Sequence, residues 1–304
     1  MSQPRVCVVG SLHFDIMVRA PYLPRVGETL IGDAWWWRPG GKGGNQAMAA
    51  VRHGAATEMV GRLGDDDLGA RLRERLAAAG VGLDHVRATR EGSGMSVAIE
   101  QADGDYAAVV VSGANHELDA EAVAASADAI RAAAVLVLQH EISGAANVAA
   151  ARLARAAGAA VILNAAPARP LDGMDGLLDV LVVNAVEAEM LGAGIVRDLD
   201  GAGRAAGVLL RLARAAIVTA GGAGVALATV GGGSPTVGAH PVTRQASHGA
   251  GDAFVGALAA RLAGGADLGT ALRYANAAAA LHVGTDPEGR DSIGPPDVEL
   301  LAGL

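Results

Sequence analysis

Short apolar, β-branched runs alternate with longer Ala-rich segments over most of the chain. The first run, residues 5–11, closes with Gly10 and Ser11 and predicts a buried strand. Similar runs predict strands at 57–61, 134–138, 159–164, 180–183, 216–219 and 224–229. Apolar positions at helical spacing predict helices at 44–54, 66–79, 119–131, 144–157, 185–192, 202–214, 251–264 and 267–282. This order indicates an α/β fold with a central, mostly parallel sheet flanked by helices.

Two stretches, at about 12–39 and 94–112, interrupt this alternation. Pro and Gly divide the first into short pieces that resemble small antiparallel strands. The second contains strands at 94–101 and 106–112 around the turn ADGD at 102–105. We expect both stretches to combine into a small antiparallel β lid on a single domain that spans residues 1–304.

Three adjacent indoles, Trp35 to Trp37, lie in the first of these stretches. Successive side chains on a strand point to opposite faces, so at least one indole should be exposed or should cover a mobile part. The run could cover a pocket, contact a partner chain or simply pack within the lid.

The composition excludes some classes of function. The net charge of −8 argues against a partner with a phosphate backbone, because nucleic-acid binding normally leaves a basic surface. No uninterrupted apolar segment has the length of a membrane span, and the N-terminus lacks the apolar core of a signal peptide. We therefore expect a cytoplasmic protein with no nucleic-acid partner and no membrane association.

The sequence HGAGDAFVGA, residues 248–257, carries the strongest chemical signal. Gly249, Ala250 and Gly251 precede Asp252, which opens a long Ala-rich helix. Backbone N–H groups at a helix start can surround an anion, so the segment suits a phosphate with a carboxylate beside it. Taken alone, Asp252 could equally be an ordinary helix cap.

A second glycine-rich loop, GGKGGNQA, runs from Gly40 into a helix at Ala47. Its spacing is not that of a Walker A phosphate-binding loop. The glycines permit close approach of a ligand, and Lys42 and Asn45 offer a cation and an amide to hydroxyl groups. A flexible surface turn is the alternative interpretation.

Nine segments together resemble the ribokinase-like PfkB family of carbohydrate and nucleoside kinases. In order along the chain they are GSLHFD, GGKGGNQA, GDDDLG, SGAN, QHE, NAAPARP, NAVEAE, TAGGAG and GAGDAFVGA. The segments GGKGGNQA, SGAN and NAAPARP are most similar to the ribokinase branch of the family. The resemblance implies the ribokinase-like fold and transfer of the γ-phosphoryl group of ATP to a sugar hydroxyl.

The resemblance also implies a division of roles around the phosphoryl group. Asp252 would accept the proton of the acceptor hydroxyl, and the amides of Gly249, Ala250 and Gly251 would form an anion hole. Asn184 and Glu187, from an N-x-x-E pattern, would help to hold Mg²⁺, through water. The residues implied for nucleotide binding are Asn184, Thr219, Gly221, Gly222, Gly224, Gly251 and Asn276.

On the acceptor side, the resemblance implies a set of polar groups that converge on a polyol. These residues are His13, Asp15, Gly41, Lys42, Asn45, Glu141 and Asp252. The lid would close over the sugar and exclude water, and it would also form the contact of a homodimer.

Two positions depart from the family pattern. His13 stands where the pattern has Asn, so the acceptor could be ribose, another pentose, a sugar derivative or a nucleoside. Ala246 replaces a carboxylate that in the family helps to bind an activating monovalent cation. We therefore expect weak or absent K⁺ activation. His248, nearby, could contact the nucleotide or serve only in packing.

Two alternative functions remain open from the sequence. A nucleoside kinase on the same scaffold would accommodate a base beside the sugar. A non-catalytic sugar- or nucleotide-binding regulator is disfavoured, because Asp252, the glycine loop before it and the N-x-x-E pair are all present.

Overall fold

A computed structural model describes residues 3–101, 106–233 and 235–304. Within these ranges the chain forms thirteen strands in two sheets, and ten α-helices. The strands are β1 (Arg5–Val9), β2 (His13–Arg19), β3 (Ala34–Gly40), β4 (Ala56–Gly64), β5 (Gly82–Thr89), β6 (Gly94–Glu100), β7 (Tyr106–Val111), β8 (Val135–Gln139), β9 (Ala160–Asn164), β10 (Val180–Asn184), β11 (Ala215–Thr219), β12 (Gly224–Thr229) and β13 (Thr236–Gly238).

Most of the helices follow one strand of the larger sheet and precede the next in the sequence. They are α1 (Lys42–Arg52), α2 (Asp67–Ala78), α3 (Ala120–Ala124), α4 (Ala127–Ala132), α5 (Gly144–Ala156), α6 (Ala185–Met190), α7 (Leu199–Leu209), α8 (Ala250–Ala263), α9 (Leu268–Gly284) and α10 (Pro295–Ala302). Among the described residues, none of these helices combines the length and apolar character that a membrane crossing needs.

The larger sheet has nine strands in the order β13-β12-β11-β10-β9-β8-β1-β4-β5. Pairing is parallel from β5 to β11, and β12 and β13 are each antiparallel to the preceding strand. All five residues of β8 are buried, as expected for a central strand covered on both faces. The predicted α/β fold with a mostly parallel sheet is confirmed.

The two interrupting stretches form one four-stranded sheet in the order β3-β2-β6-β7. The β2–β3 and β6–β7 pairs are antiparallel, while β2 and β6, which join them, are parallel. The separate small sheet is therefore present, with a parallel pairing in its middle. The predicted turn at 102–105 lies outside the described residues.

The three indoles occupy different environments on β3. Trp35 is 69% exposed, which confirms that the run cannot be buried as a unit. Trp37 stacks on Phe14 with ring centroids 4.6 Å apart, and the guanidinium of Arg19 lies 5.3 Å from the Trp36 ring. The two inner indoles thus help to hold the small sheet together.

Several elements differ from the sequence-based expectations. Strands β5 and β13 and helix α10 were not predicted, because their apolar alternation is weak or short. The helix expected at 119–131 is broken at Ser126, whose hydroxyl donates to the carbonyl of Ala122 (3.3 Å). The helix expected at 202–214 begins earlier, because the side chain of Asp198 caps α7 by accepting from the Gly201 amide (2.7 Å).

Close packing of α1 against α8 determines where the functional loops meet. A β-carbon on Gly256 of α8 would overlap Ala49 of α1 and would lie 2.6 Å from the carbonyl oxygen of Gln46. The two helices are therefore in direct contact at these positions. At the same edge of the large sheet, β8, β9, β10 and β11 end in Gln139, Asn164, Asn184 and Thr219. Carboxyl ends of parallel strands are the usual place for a ligand site in such sheets.

Candidate active site

A cavity of about 870 Å³ lies between the small sheet and the carboxyl edge of the large sheet. Its walls include twelve of the residues that the sequence singled out. These are His13, Asp15, Gly41, Lys42, Asn45, Glu141, Asn184, Glu187, Thr219, Gly249, Gly251 and Asp252. Residues separated by more than 200 positions in the sequence are thus brought to one cavity.

Asp252 is the third residue of α8 and is buried, with 8% of its surface exposed. Gly249 caps this helix in the left-handed conformation (φ 83°), which a residue with a side chain rarely adopts. Burial raises the pKa of Asp252 above the ordinary value, while the nearby positive charge of Lys42 and side-chain hydrogen bonds lower it. The result is a carboxylate shielded from water, whose pKa lies above its ordinary value.

Side-chain amides of α1 hold both oxygens of this carboxylate. Asn45 Nδ2 donates to Asp252 Oδ2 (3.1 Å), and Gln46 Nε2 donates to Asp252 Oδ1 (2.9 Å). Gln46 Nε2 also donates to Asn164 Oδ1 at the end of β9 (3.1 Å), and Gln139 Nε2 donates to Gln46 Oε1 (2.9 Å). A buried chain of amides from two strands therefore fixes the orientation of Asp252.

Glu141 forms a second polar centre on the acceptor side of the cavity. Its Oε2 accepts from Ser11 Oγ (2.5 Å) and from the backbone amide of Lys42 (2.9 Å). His13 Nδ1 lies 3.9 Å from the same oxygen. His13 is 3% exposed, and its Nε2 has no hydrogen-bond partner among the described residues. A buried imidazole nitrogen without a partner is an unsatisfied polar group in the wall of the cavity.

Asp15 occupies the neighbouring part of the wall. Its Oδ1 accepts from Ser96 Oγ (2.6 Å), and its Oδ2 lies 4.0 Å from Arg38 Nε. A β-carbon on Gly40 would overlap the Asp15 carboxylate, and one on Gly41 would lie 2.8 Å from the His13 amide nitrogen. The glycines of the GGKGGNQA loop are therefore required for its close approach to β2.

The three amides expected to form an anion hole lie at the start of α8. Gly249 and Gly251 line the cavity. The amide of Ala250 donates to the carbonyl of Ser247 (3.2 Å), so it serves the turn in this arrangement. Amides in the first turn of a helix lack intrahelical acceptors, which makes this end of α8 suitable for an anion.

Asn184 and Glu187 form a capping box at the start of α6. Asn184 Oδ1 accepts from the Glu187 amide (2.8 Å), and Glu187 Oε2 accepts from the Asn184 amide (2.8 Å). Burial raises the pKa of Glu187, and its side chain lines the cavity. The described residues contain no group of three or more His, Cys, Asp or Glu able to hold a metal. The donor set therefore suits Mg²⁺ only if water and phosphate supply most of the ligands.

The other residues predicted to bind the nucleotide are less concentrated. Thr219 is in the cavity wall, whereas Gly221, Gly222, Gly224 and Asn276 lie outside it. Gly224 (φ 119°) allows β12 to approach β13, because a β-carbon there would overlap the Val237 carbonyl. Asn276 Nδ2 donates to the carbonyl of Gly238 (2.9 Å). These contacts give Gly224 and Asn276 structural roles at the edge of the sheet.

Two histidines flank the loop before Asp252. Burial lowers the pKa of His282 to about 4, and nearby positive charges act in the same direction. The His282 imidazole is therefore neutral near pH 7, whereas His248 is exposed. His248 and Ala246 line the cavity beside Gly249.

Of the side-chain amides in the chain that holds Asp252, the sequence identified only Asn45. Gln46, Gln139 and Asn164 were part of recognised segments, but no functional role was expected for their side chains. For Gln139 and Asn164, the signal that could have indicated a role was their position. They end adjacent parallel strands and are paired in register. A polar residue at the carboxyl end of an otherwise apolar parallel strand is a candidate site residue, because ligand sites in such sheets lie at that edge.

Comparison with known proteins gives a consistent result. The model of the pfkB family of carbohydrate kinases matches residues 3–287. Ribokinase of Bacillus subtilis is 33% identical over 280 residues, which cover 91% of this chain and 92% of that protein. Ribokinase of Mus musculus is 35% identical over 263 residues, which cover 85% and 81%. The structure of Arabidopsis thaliana ribokinase complexed with ribose and ATP is 31% identical, covers 100% of both chains and has a TM-score of 0.90.

The amide chain predicts the effect of replacing Gln46. In Gln46→Ala, the pKa of Asp252 should rise above the wild-type value, because a hydrogen bond that favours the charged form is lost. The free energy of unfolding should fall by about 1–3 kcal/mol, because buried polar groups lose their partner. Carbon-13 NMR of the Asp252 carboxylate against pH, together with urea unfolding, measures both quantities.

Asn147→Ala is the matched control for this experiment. Asn147 is buried and donates to the backbone carbonyl of Gln139 (2.8 Å), without contact to Asp252. It should lose stability while leaving the pKa of Asp252 unchanged. A pKa in Gln46→Ala equal to or below the wild-type value would contradict the assignment.

Proposed function

Since the chain belongs to the pfkB family of carbohydrate kinases, we propose that this sugar kinase transfers the γ-phosphoryl group of ATP to ribose. The observation that carries the proposal is the buried Asp252 carboxylate at the start of α8, in a cavity shared with Lys42, Asn45 and Glu141. Two relatives named ribokinase, and one such structure with ribose and ATP, support ribose as the acceptor.

Asp252 acts as the general base in this proposal. Its carboxylate accepts the proton of the acceptor hydroxyl, and the hydroxyl oxygen forms a bond to the γ-phosphorus. The bond from that phosphorus to the bridging oxygen of ADP breaks, and ADP leaves. Gly249 and Gly251 supply backbone amides toward the charge on the transferred group, whereas the Ala250 amide donates to the Ser247 carbonyl. Asn45 and Gln46 keep the base in the required orientation.

The acceptor is held by groups that suit a polyol. Asp15 and Glu141 accept hydrogen bonds from hydroxyl groups, and Asn45 and Lys42 donate to them. His13 replaces the Asn of the family pattern and lines the cavity, and its buried Nε2 has no hydrogen-bond partner among the described residues. We assign that nitrogen to a hydroxyl of the sugar, in the role that the Asn amide has in the family pattern.

The nucleotide would extend from the cavity wall at Thr219 to residues outside the cavity. Thr219 and the turn Gly221–Gly224 would contact ATP, with Asn276 near the base. Mg²⁺ would be held through water by Asn184 and Glu187 and would neutralise phosphate charge. The hard oxygen donors and the mostly aqueous coordination are compatible with this ion.

The small sheet would serve as the lid and as a contact between two copies of the chain. Its edge strands β3 and β7 carry exposed apolar residues, among them Trp35 and Val109. An unpaired apolar edge favours association with another strand edge. We therefore include a homodimer, formed through the small sheet, in the proposal, and ATP as substrate favours a cytoplasmic enzyme.

The role of Asp252 can be separated from simple helix capping. Asp252→Asn should lower kcat by about 10²–10⁴-fold, because the amide cannot accept the proton, while sugar binding changes little. Turnover is measured with a coupled ADP assay and sugar binding by calorimetry. Asp267→Asn is the matched control, because Asp267 caps α9 (3.0 Å to the Thr270 amide) away from the cavity. Equal turnover of both variants would show that Asp252 is not the base.

Potassium should activate the enzyme weakly or not at all, because Ala246 lacks the carboxylate that would help to bind it. With Mg²⁺ and ATP held constant, kcat should be nearly the same in K⁺ buffer and in a K⁺-free buffer of equal ionic strength. A stimulation of about tenfold, equivalent to about 1.4 kcal/mol of barrier, would contradict this proposal.

A further inference from the structure

Arg290 holds the loop that leads into the start of α8. It lies in the short 3₁₀ turn Pro287–Ser292 and is buried, with 9% of its surface exposed. Its Nη2 donates to the carbonyl of Ala246 (2.7 Å), its Nη1 to the carbonyl of His248 (3.3 Å) and its Nε to the carbonyl of Thr285 (3.3 Å). These three acceptors are backbone carbonyl oxygens.

The surrounding contacts hold both the loop before α8 and the turn that carries Arg290. The amide of Gln245 donates to the carbonyl of Val283 at the end of α9 (2.9 Å), so the loop is attached beside the negative end of that helix. On the other side, Asp291 forms ion pairs with Arg52 and Arg75. The turn that carries Arg290 is thereby anchored to α1 and α2.

The contact with His248 has a direct geometric consequence for the anion hole. The carbonyl of His248 and the amide of Gly249 belong to one planar trans peptide, in which C=O and N–H point in opposite directions. Arg290 Nη1 and His282 Nε2 (2.9 Å) both lie on the carbonyl side. The N–H of Gly249 is therefore directed away from Arg290, and Gly249 lines the cavity.

We propose that Arg290 is a positioning residue that acts as a built-in cation, holding the carbonyls of Ala246 and His248 so that the Gly249 amide is presented to the transferred phosphoryl group. The inference rests on the proposed function for its catalytic consequence. It also accounts physically for a loop whose residue 246 has no carboxylate: a fixed guanidinium supplies the positive charge that gathers the carbonyl oxygens.

Replacing the guanidinium of Arg290 should impair the transfer of the phosphoryl group more than the binding of the sugar. In Arg290→Ala, kcat should fall by about 10²-fold or more, the scale for losing one oriented donor, while the affinity for sugar stays at the wild-type value. Guanidinium at millimolar concentration, far below denaturing levels, should restore part of the lost kcat. Arg290→Lys should retain more activity than Arg290→Ala, because it keeps a charge with fewer donors.

Arg155→Ala is the matched control for the loss of a partly buried arginine. Arg155 Nη1 donates to both carboxylate oxygens of Asp179 (2.9 Å each), remote from the cavity wall. It should lose stability, keep the wild-type kcat at a temperature where the protein is folded, and show no response to guanidinium. Unchanged kcat in Arg290→Ala, or a loss that guanidinium does not relieve in a folded protein, would overturn the proposal.

A second readout does not depend on turnover. Amide hydrogen exchange of the peptide covering 246–252 should be faster in Arg290→Ala than in wild type, and guanidinium should slow it again. Identical exchange in the two proteins would overturn the positioning role even if the enzyme is a sugar kinase. Conversely, if wild type phosphorylates no sugar while the exchange behaves as expected, the proposed function fails and the loop assignment stands.

Discussion

A carboxylate removed from water is stable only where fixed donors and positive charge surround it, and Asp252 imposes this constraint on its surroundings. The donors come from α1, so α1 and α8 must meet closely, and Gly256 makes that approach possible. The position of Gln46 in turn depends on Gln139 and Asn164 at the ends of adjacent strands. The parallel sheet, the glycine-rich loop and the helix start are thus tied to one buried charge.

The parts of this arrangement that are local in sequence could be predicted from it. Gly249 before Asp252 and the glycines from Gly40 onward mark tight turns into helices, and the structure places both at one cavity. The amide chain through Gln46 could not be predicted, because its partners lie 93 to 206 residues away. Arg290 was missed for the same reason: nothing near it in sequence indicates that it meets the carbonyls of Ala246 and His248.

Local signals can also serve two purposes at once. The N-x-x-E pattern was interpreted as an Mg²⁺ and phosphate site, and the structure shows Asn184 and Glu187 in a capping box that places Glu187 in the cavity wall. Capping and ligand binding are compatible, because the capping hydrogen bond uses Oε2 of Glu187 and leaves the other carboxylate oxygen for a ligand. Likewise, the absence of a carboxylate at Ala246 is explained only by the position of Arg290. The guanidinium of Arg290 holds the loop in place of a bound cation.

Phosphorylation of a pentose in this cavity can be measured with a panel of acceptors. Steady-state turnover with ATP should be compared for ribose, other pentoses, hexoses and nucleosides at matched concentrations. We expect the highest kcat/KM for ribose, because Asp15, Asn45 and Glu141 offer contacts for hydroxyl groups around one small ring. A higher kcat/KM for a nucleoside, or ATP turnover that no sugar increases, would contradict it.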